Sequence, residues 1–234
     1  MGIGKAILIA LAQAGARVVM HGIESADDVL AEVSALGGQA IFCSGDLSIP
    51  KGGRSLAAAV SQQLDGDSVD ILVLNASIQI RREWSQISPN EAQLQLQTNF
   101  LSSLELIQSF APAMQAQRWG RILSIGSVQE SKPHKDMAVY AASKAAQTSL
   151  IRNLARQLGP HGITANNIAP GVILTARNTE VLSDEIYAAQ VRGMIPTGDF
   201  GQADDIASLA LLLCSDASGY LTGQSIYADG GLSL

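Results

Sequence analysis

Tyr140 and Lys144 stand four residues apart in the run Tyr140-Ala141-Ala142-Ser143-Lys144, and Ser127 precedes the tyrosine by thirteen positions. On a helix, positions i and i+4 share a face, so a phenol and an ammonium project into the same space. A free tyrosine titrates near pH 10, about three units too high for proton transfer at neutral pH. A cation about 4 Å away at an effective dielectric near 20 contributes about 4 kcal/mol, roughly three pK units, so Lys144 is expected beside Tyr140 as its activator. Ser127 would hydrogen-bond the substrate oxygen and hold it against the phenol. A Tyr-x-x-x-Lys pair arises by chance roughly 0.09 times in a chain of this composition, and an amphipathic helix with an incidental Tyr and Lys is the plain alternative, so context must decide.

The elements that would position these groups alternate between helical stretches and short apolar runs, the pattern of βαβ units around a parallel sheet. Helices are expected over 4–14, 25–36, 54–64, 89–117, 138–158 and 203–214, and strands over 17–20, 39–43, 70–74, 121–125, 163–168 and 225–228. Residues 175–200 read as a mobile connection. Ser127 falls just beyond a strand, at the carboxyl edge where an open α/β sheet holds its ligands. One doubly wound sheet in a single domain, 1–234, accounts for every segment.

Composition narrows the functional classes. The 234 residues carry Lys+Arg 15 against Asp+Glu 21, a net charge of −6, without a basic block, so neither nucleic acid nor an anionic membrane is an expected partner. No apolar run is long enough to span a bilayer. Lys5 followed by Ala6 to Ala12 and Ala12-Gln13-Ala14 has the outline of a short signal peptide, but reads better as a helix packed on the following strand. Cys43 and Cys214 form no ligand cluster, which points to a reducing compartment, the cytoplasm by default. His21, His134 and His161 are too scattered to hold a metal, and none is expected.

Over nearly its whole length the chain resembles the classical short-chain dehydrogenases/reductases. Gly2-Ile3-Gly4 is similar to the end of that family's Gly-rich turn, Asp46-Leu47 to its adenine-contacting pair, and Asn75-Ala76-Ser77 to its Asn-Ala-Gly segment with serine replacing glycine. Asn99, Ser127, Tyr140 and Lys144 match its catalytic set in order and spacing, Pro170-Gly171-Val172 with Thr175 resembles the element that contacts the nicotinamide carboxamide, and Asp229-Gly230-Gly231 matches its C-terminal end. The resemblance implies a Rossmann-like fold and NAD(P)-dependent hydride transfer on an alcohol or ketone, such as a sugar, a polyol or a 3-oxoacyl compound. Tyr140 is then the general acid/base, Lys144 lowers its pKa and binds the nicotinamide ribose, Ser127 fixes the substrate oxygen, and Asn99 anchors a water behind Lys144. A homodimer or homotetramer is implied as well, and the small residues Ala141, Ala142, Ala145, Ala146 and Ser149 leave a helix surface open to close approach.

Three further expectations follow. Gly22 occupies the position where an acid would select NAD, and no Arg or Lys lies between Val18 and Pro50 to pair with a 2′-phosphate, which tilts the choice of NAD or NADP toward NAD. Gln129, His134 and Arg177 should face the substrate, and a ring of loop cations favours a polar or anionic one, unless these are ordinary solvated charges. Met1-Gly2-Ile3-Gly4 opens directly into a helix, so the family's first strand has no counterpart. A chain recorded from a late start, a sheet with a gap, or a non-catalytic relative that uses the fold for assembly would each explain this. A methyltransferase also begins with a Gly-rich turn but gives no reason for the Ser127, Tyr140, Lys144 spacing.

Overall fold

The computed structural model describes residues 2–234, with the backbone alone at residues 180 and 181. Helix α1 (Ile3–Gln13) ends where Gly15 adopts φ +93°, a left-handed conformation that lets Ala16 N–H close back on the Leu11 carbonyl at 3.0 Å. It leads to β1 (Arg17–Gly22), α2 (Asp27–Ala35), β2 (Gln39–Ser44), α3 (Gly52–Leu64) and β3 (Ile71–Leu74). The long helical stretch after Ser88 is interrupted: α4 (Pro89–Leu96) passes through a π turn, Gln97–Leu101, into α5 (Ser102–Gln117). Ser88 and Glu91 form a capping box, with Pro89 at the first helical position where its missing N–H costs nothing. Strand β4 (Gly120–Ile125), α6 (Ala138–Leu158) and β5 (Ile163–Pro170) follow, then α7 (Ala176–Leu182), α8 (Glu185–Gly193), α9 (Ala203–Cys214) and β6 (Ser225–Ala228).

All strand pairings are parallel, but the expected single sheet is divided. β1 pairs with β2, and β3-β4-β5-β6 form a second sheet, with no ladder between β1 and β3. The two sheets nevertheless share their cores. Alternation sends Leu72, Leu74, Ile122, Ile163 and Ala165 to the face covered by α3, α5 and α6, and Cys43, Val19 and Ile41 from the smaller sheet join them. Ile71, Val73, Leu123, Ile125 and Ile168 point to the opposite face, where α1 and α9 pack and Val18 joins. The architecture is therefore helix, sheet, helix, with β4 and β5 buried throughout.

Residues 175–200, expected as a mobile connection, contain regular helices. They hold α7 and α8, and Ala188, Val191, Ile195 and Phe200 form a separate apolar cluster with Val128 and Leu232. No helix among the described residues is long and apolar enough to cross a membrane.

Candidate active site

Parallel strands all end on the same edge, so the residues that follow β3, β4 and β5 converge there. A cleft of about 590 Å³ opens at this edge. Its walls include Gly2, Ile3 and Gly4 of the α1 start, Asn75 and Ser77 after β3, Ser127 and Gln129 after β4, Tyr140 on α6, and Pro170, Gly171, Val172, Thr175 and Arg177 after β5. Lys5, Ala26, Asp28 and Val29 complete one end; no motif marked these four, because a helix N-terminus and the start of α2 become neighbours only in three dimensions.

Tyr140 is 5% exposed, and its phenol stands where Ser127, Arg177 and Ser77 favour its ionised form. Burial raises its pKa above the ordinary tyrosine value, with the Arg177 charge as the largest opposing influence. Lys144 follows one turn further along α6. Its Nζ donates to the Ile125 carbonyl at 2.7 Å and to Gln147 Oε1 at 3.2 Å, in a fully buried position, and the Arg177 charge also acts on the phenol. Burial first, and then the Arg177 charge, bring Lys144 down to about 7, against the attraction of Glu130.

Behind these groups a polar network is closed to solvent. Gln147 Nε2 donates to Ser103 Oγ at 2.9 Å, and Ser103 lies over the Asn99 carbonyl. Asn99, carried inward by the π turn, accepts from Ile78 N–H at 2.8 Å and donates to the Ile78 carbonyl and to Ser143 Oγ, both at 2.9 Å. Its side-chain amide is thereby fixed against the strap after β3.

The remaining expectations divide. Asn99 and Lys144 lie behind the wall, and Gly22, Asp46, Leu47 and Ala76 are not among the residues that line the cleft. Asp46 instead accepts from Ser48 N–H at 2.8 Å, and the Ser48 hydroxyl first and this N–H second hold its carboxyl below the usual range, while Leu47 is buried. His134 faces away, into a shallow depression with Pro133, Lys135 and Ala138. Gln129 spans both sites, its Oε1 accepting from His134 N–H at 2.5 Å. Among the described residues no cluster of His, Cys, Asp or Glu could hold a metal.

The residues present fit a dinucleotide. The first turn of α1 has no acidic residue and no side-chain cap, so its N–H groups face the cleft and suit a pyrophosphate. A Cβ at Gly4 would stand 2.6 Å from Asn75 Nδ2, closing the gap between the helix start and the strap.

The fold and site define a class: a Rossmann-like nicotinamide-dependent oxidoreductase. A family model described as enoyl-(acyl carrier protein) reductase matches residues 1–233. The 7alpha-hydroxysteroid dehydrogenase of Escherichia coli K12 is 37% identical over 232 residues, spanning 98% of this chain and 89% of that one. A 3-oxoacyl (acyl-carrier-protein) reductase from Agrobacterium tumefaciens C58, solved with NADP bound, superposes with a TM-score of 0.93 at 37% identity, over 98% of this chain and 90% of the other. A 7alpha-hydroxysteroid dehydrogenase complexed with NADH gives 0.92, also at 37% identity, over 99% and 90%. The chain belongs to the short-chain dehydrogenase/reductase family and is an NAD(P)-dependent oxidoreductase acting on CH–OH groups or the corresponding ketones.

Proposed function

We propose that Tyr140 is the general acid/base of this oxidoreductase and that Ser127 holds the reacting oxygen against it. The observation that carries the reading is the convergence of Tyr140 and Ser127 at the carboxyl edge of the sheet, in the wall of a cleft large enough for a ligand of this class. NAD(P) supplies or accepts the hydride; Gly2, Ile3 and Gly4 would receive its pyrophosphate, and Pro170 to Val172 with Thr175 would line its nicotinamide end. In the oxidative direction Tyr140 takes the hydroxyl proton, and in the reductive direction it returns one to the carbonyl oxygen. Lys144, Gln147, Ser103 and Asn99 form the buried polar support of that wall.

NAD is the preferred form in this reading. Asp28 lines the cleft where α2 begins, and a carboxylate there disfavours a 2′-phosphate, while Lys5 is already paired with Glu32 at 2.6 Å. Gln129 and Arg177 face the substrate, and His134 does not. A homodimer or homotetramer remains our expectation for the assembly, with the whole chain acting as one domain.

The test separates binding from chemistry. Titration with NADH and NADPH, followed by nicotinamide fluorescence, should give the tighter constant for NADH. Tyr140→Phe should retain that binding and lose turnover by about 10³-fold or more, the scale of an acid/base group at the reacting oxygen. Unchanged turnover in Tyr140→Phe would remove Tyr140 from the mechanism.

A further inference from the structure

Arg177 reaches across the cleft from the first turn of α7 to the strap after β3. Its Nη1 donates to Ser77 Oγ at 3.1 Å and its Nη2 to the Ser77 carbonyl at 2.8 Å, and its charge acts on the Tyr140 phenol in the wall of the same cleft. Every one of these partners is neutral. A guanidinium has five donors in a fixed planar fork that matches a carboxylate, and neutral oxygens satisfy its hydrogen bonds without compensating its charge. Its surroundings are cationic too. Arg81 lines the same cleft and has no acidic partner among the described residues, while the acid in that lining, Asp28, lies with Ala26 and Val29 at the α2 end. In a chain of net charge −6, a cleft lined by two arginines without an acidic partner among the described residues is a local reversal of sign, and low-dielectric walls focus such a field on an incoming anion.

We propose that Arg177 is the receptor for a carboxylate on the substrate, so that the enzyme's preferred substrates are hydroxy acids and the corresponding oxo acids. This rests on the assignment of Ser127 and Tyr140 to the reacting oxygen. With the carbinol oxygen on those two groups, a carboxylate on the same substrate lies in the cleft that Arg177 lines together with Ser127 and Tyr140. Replacing the Ser77 contacts by two parallel charge-assisted bonds strengthens the arginine's pairing and orients the substrate. Oxidation transfers the carbinol hydrogen as hydride to NAD(P)+ and the hydroxyl proton through Tyr140 to solvent, giving an oxo acid and NAD(P)H with the carboxylate unchanged. The cofactor's pyrophosphate is the other anion that Arg177 could meet, and the α1 start offers that group its own donors.

The experiment pairs each acid with a neutral counterpart: gluconate with sorbitol, lactate with 1,2-propanediol, and 3-hydroxybutyrate with 1,3-butanediol, with NAD+ and with NADP+. Wild-type kcat/KM should favour the acid member of at least one pair by tenfold or more. Arg177→Gln should reduce that acid-to-neutral ratio by ten- to a hundredfold, mainly through KM, and Arg177→Lys should restore part of it. The Kd for NADH should change by less than threefold in Arg177→Gln; a larger loss assigns the arginine to the pyrophosphate and overturns the proposal. Equal turnover of acids and neutral alcohols, an equal loss on both classes, or a panel in which no acid is turned over and none shows saturation-transfer NMR contact with the NADH-bound protein also overturns it. Turnover unaffected by Tyr140→Phe defeats the assignment of the reacting oxygen instead.

Discussion

Lys144 is buried, and its ammonium hydrogen-bonds a carbonyl and an amide rather than a carboxylate. The consequence is a pH dependence of folding whose sign is fixed. Below about pH 7 the group is protonated in both states; between there and its ordinary value of 10.5 only the unfolded chain holds the proton, so stability rises with pH. Cys214 works the other way, since burial pushes its thiol from 9.0 up to about 12 and the folded state keeps a proton that the unfolded chain loses. The window in which Lys144 acts alone is therefore pH 7–9. Urea unfolding of the cofactor-free protein should show stability increasing across that window, and Lys144→Met should flatten the slope. Gln147→Glu, which places a carboxylate against Nζ, should flatten it too by restoring the lysine's charge; a slope that survives both substitutions assigns it elsewhere. The sequence made Tyr140 and Lys144 neighbours on one helical face, and that much is correct. Spacing specifies a face and not an acceptor, and the acceptors here come from β4 and from the next turn of α6. The same limit hid the contact between Arg177 and Ser77, which are 100 residues apart.

Elements were legible where periodicity and breakers agreed. The helix expected over 138–158 has those bounds because Gly159-Pro160 stops it, the strand expected from Ser225 to Ala228 has its bounds too, and a helix lies where one is expected at about 203–214. Helix α8 was missed, although Asp184 accepts from the N–H groups of Ile186 and Tyr187 and is a standard N-cap residue. Its apolar face covers a small satellite cluster, so its periodicity is short and diluted by polar neighbours. The start of α3 allows a sharper test. A Cβ on Gly52 would collide with the Asp46 carbonyl, a backbone atom that moves only if the loop after β2 moves. Gly52→Ala should cost about 1–3 kcal/mol, the range for overpacking, and lower Tm by about 2–4 °C per kcal/mol. Gly193, the last residue of α8, has open space around it, so Gly193→Ala should instead stabilise by about 0.5–1 kcal/mol. Calorimetric melting curves of the two variants, shifted in opposite directions, would check both.

At the scale of the molecule, the division of the sheet decides how the halves move. Strands β4 and β5 are laddered on both sides and buried throughout, whereas among the described residues β1 and β2 pair only with each other. A two-stranded ribbon is marginal by itself, and here it holds through side chains: Leu8, Ala12, Val29 and Val33 pack against Val18, Met20 and Ala40. Backbone amides of β1 and β2 should therefore open by local unfolding at lower free energy than those of β4 and β5, and exchange with deuterium sooner. The cleft changes this balance, because its walls come from both halves: Gly2 to Lys5, Ala26, Asp28 and Val29 belong to the side of the ribbon, and Asn75, Ser127 and Gly171 to the larger sheet. A ligand that touches both walls binds only when the halves are in register, so it stabilises the closed arrangement by mass action. Cofactor at about 100 times its Kd contributes about 2.7 kcal/mol, which corresponds to roughly a hundredfold slowing of any opening that destroys the site. Hydrogen–deuterium exchange with mass spectrometry, with and without saturating NADH, should show that slowing in the peptides covering β1, α2 and β2 and a smaller change in β4 and β5, which are already protected. Equal slowing in all strands would mean that the halves open together, as one cooperative unit.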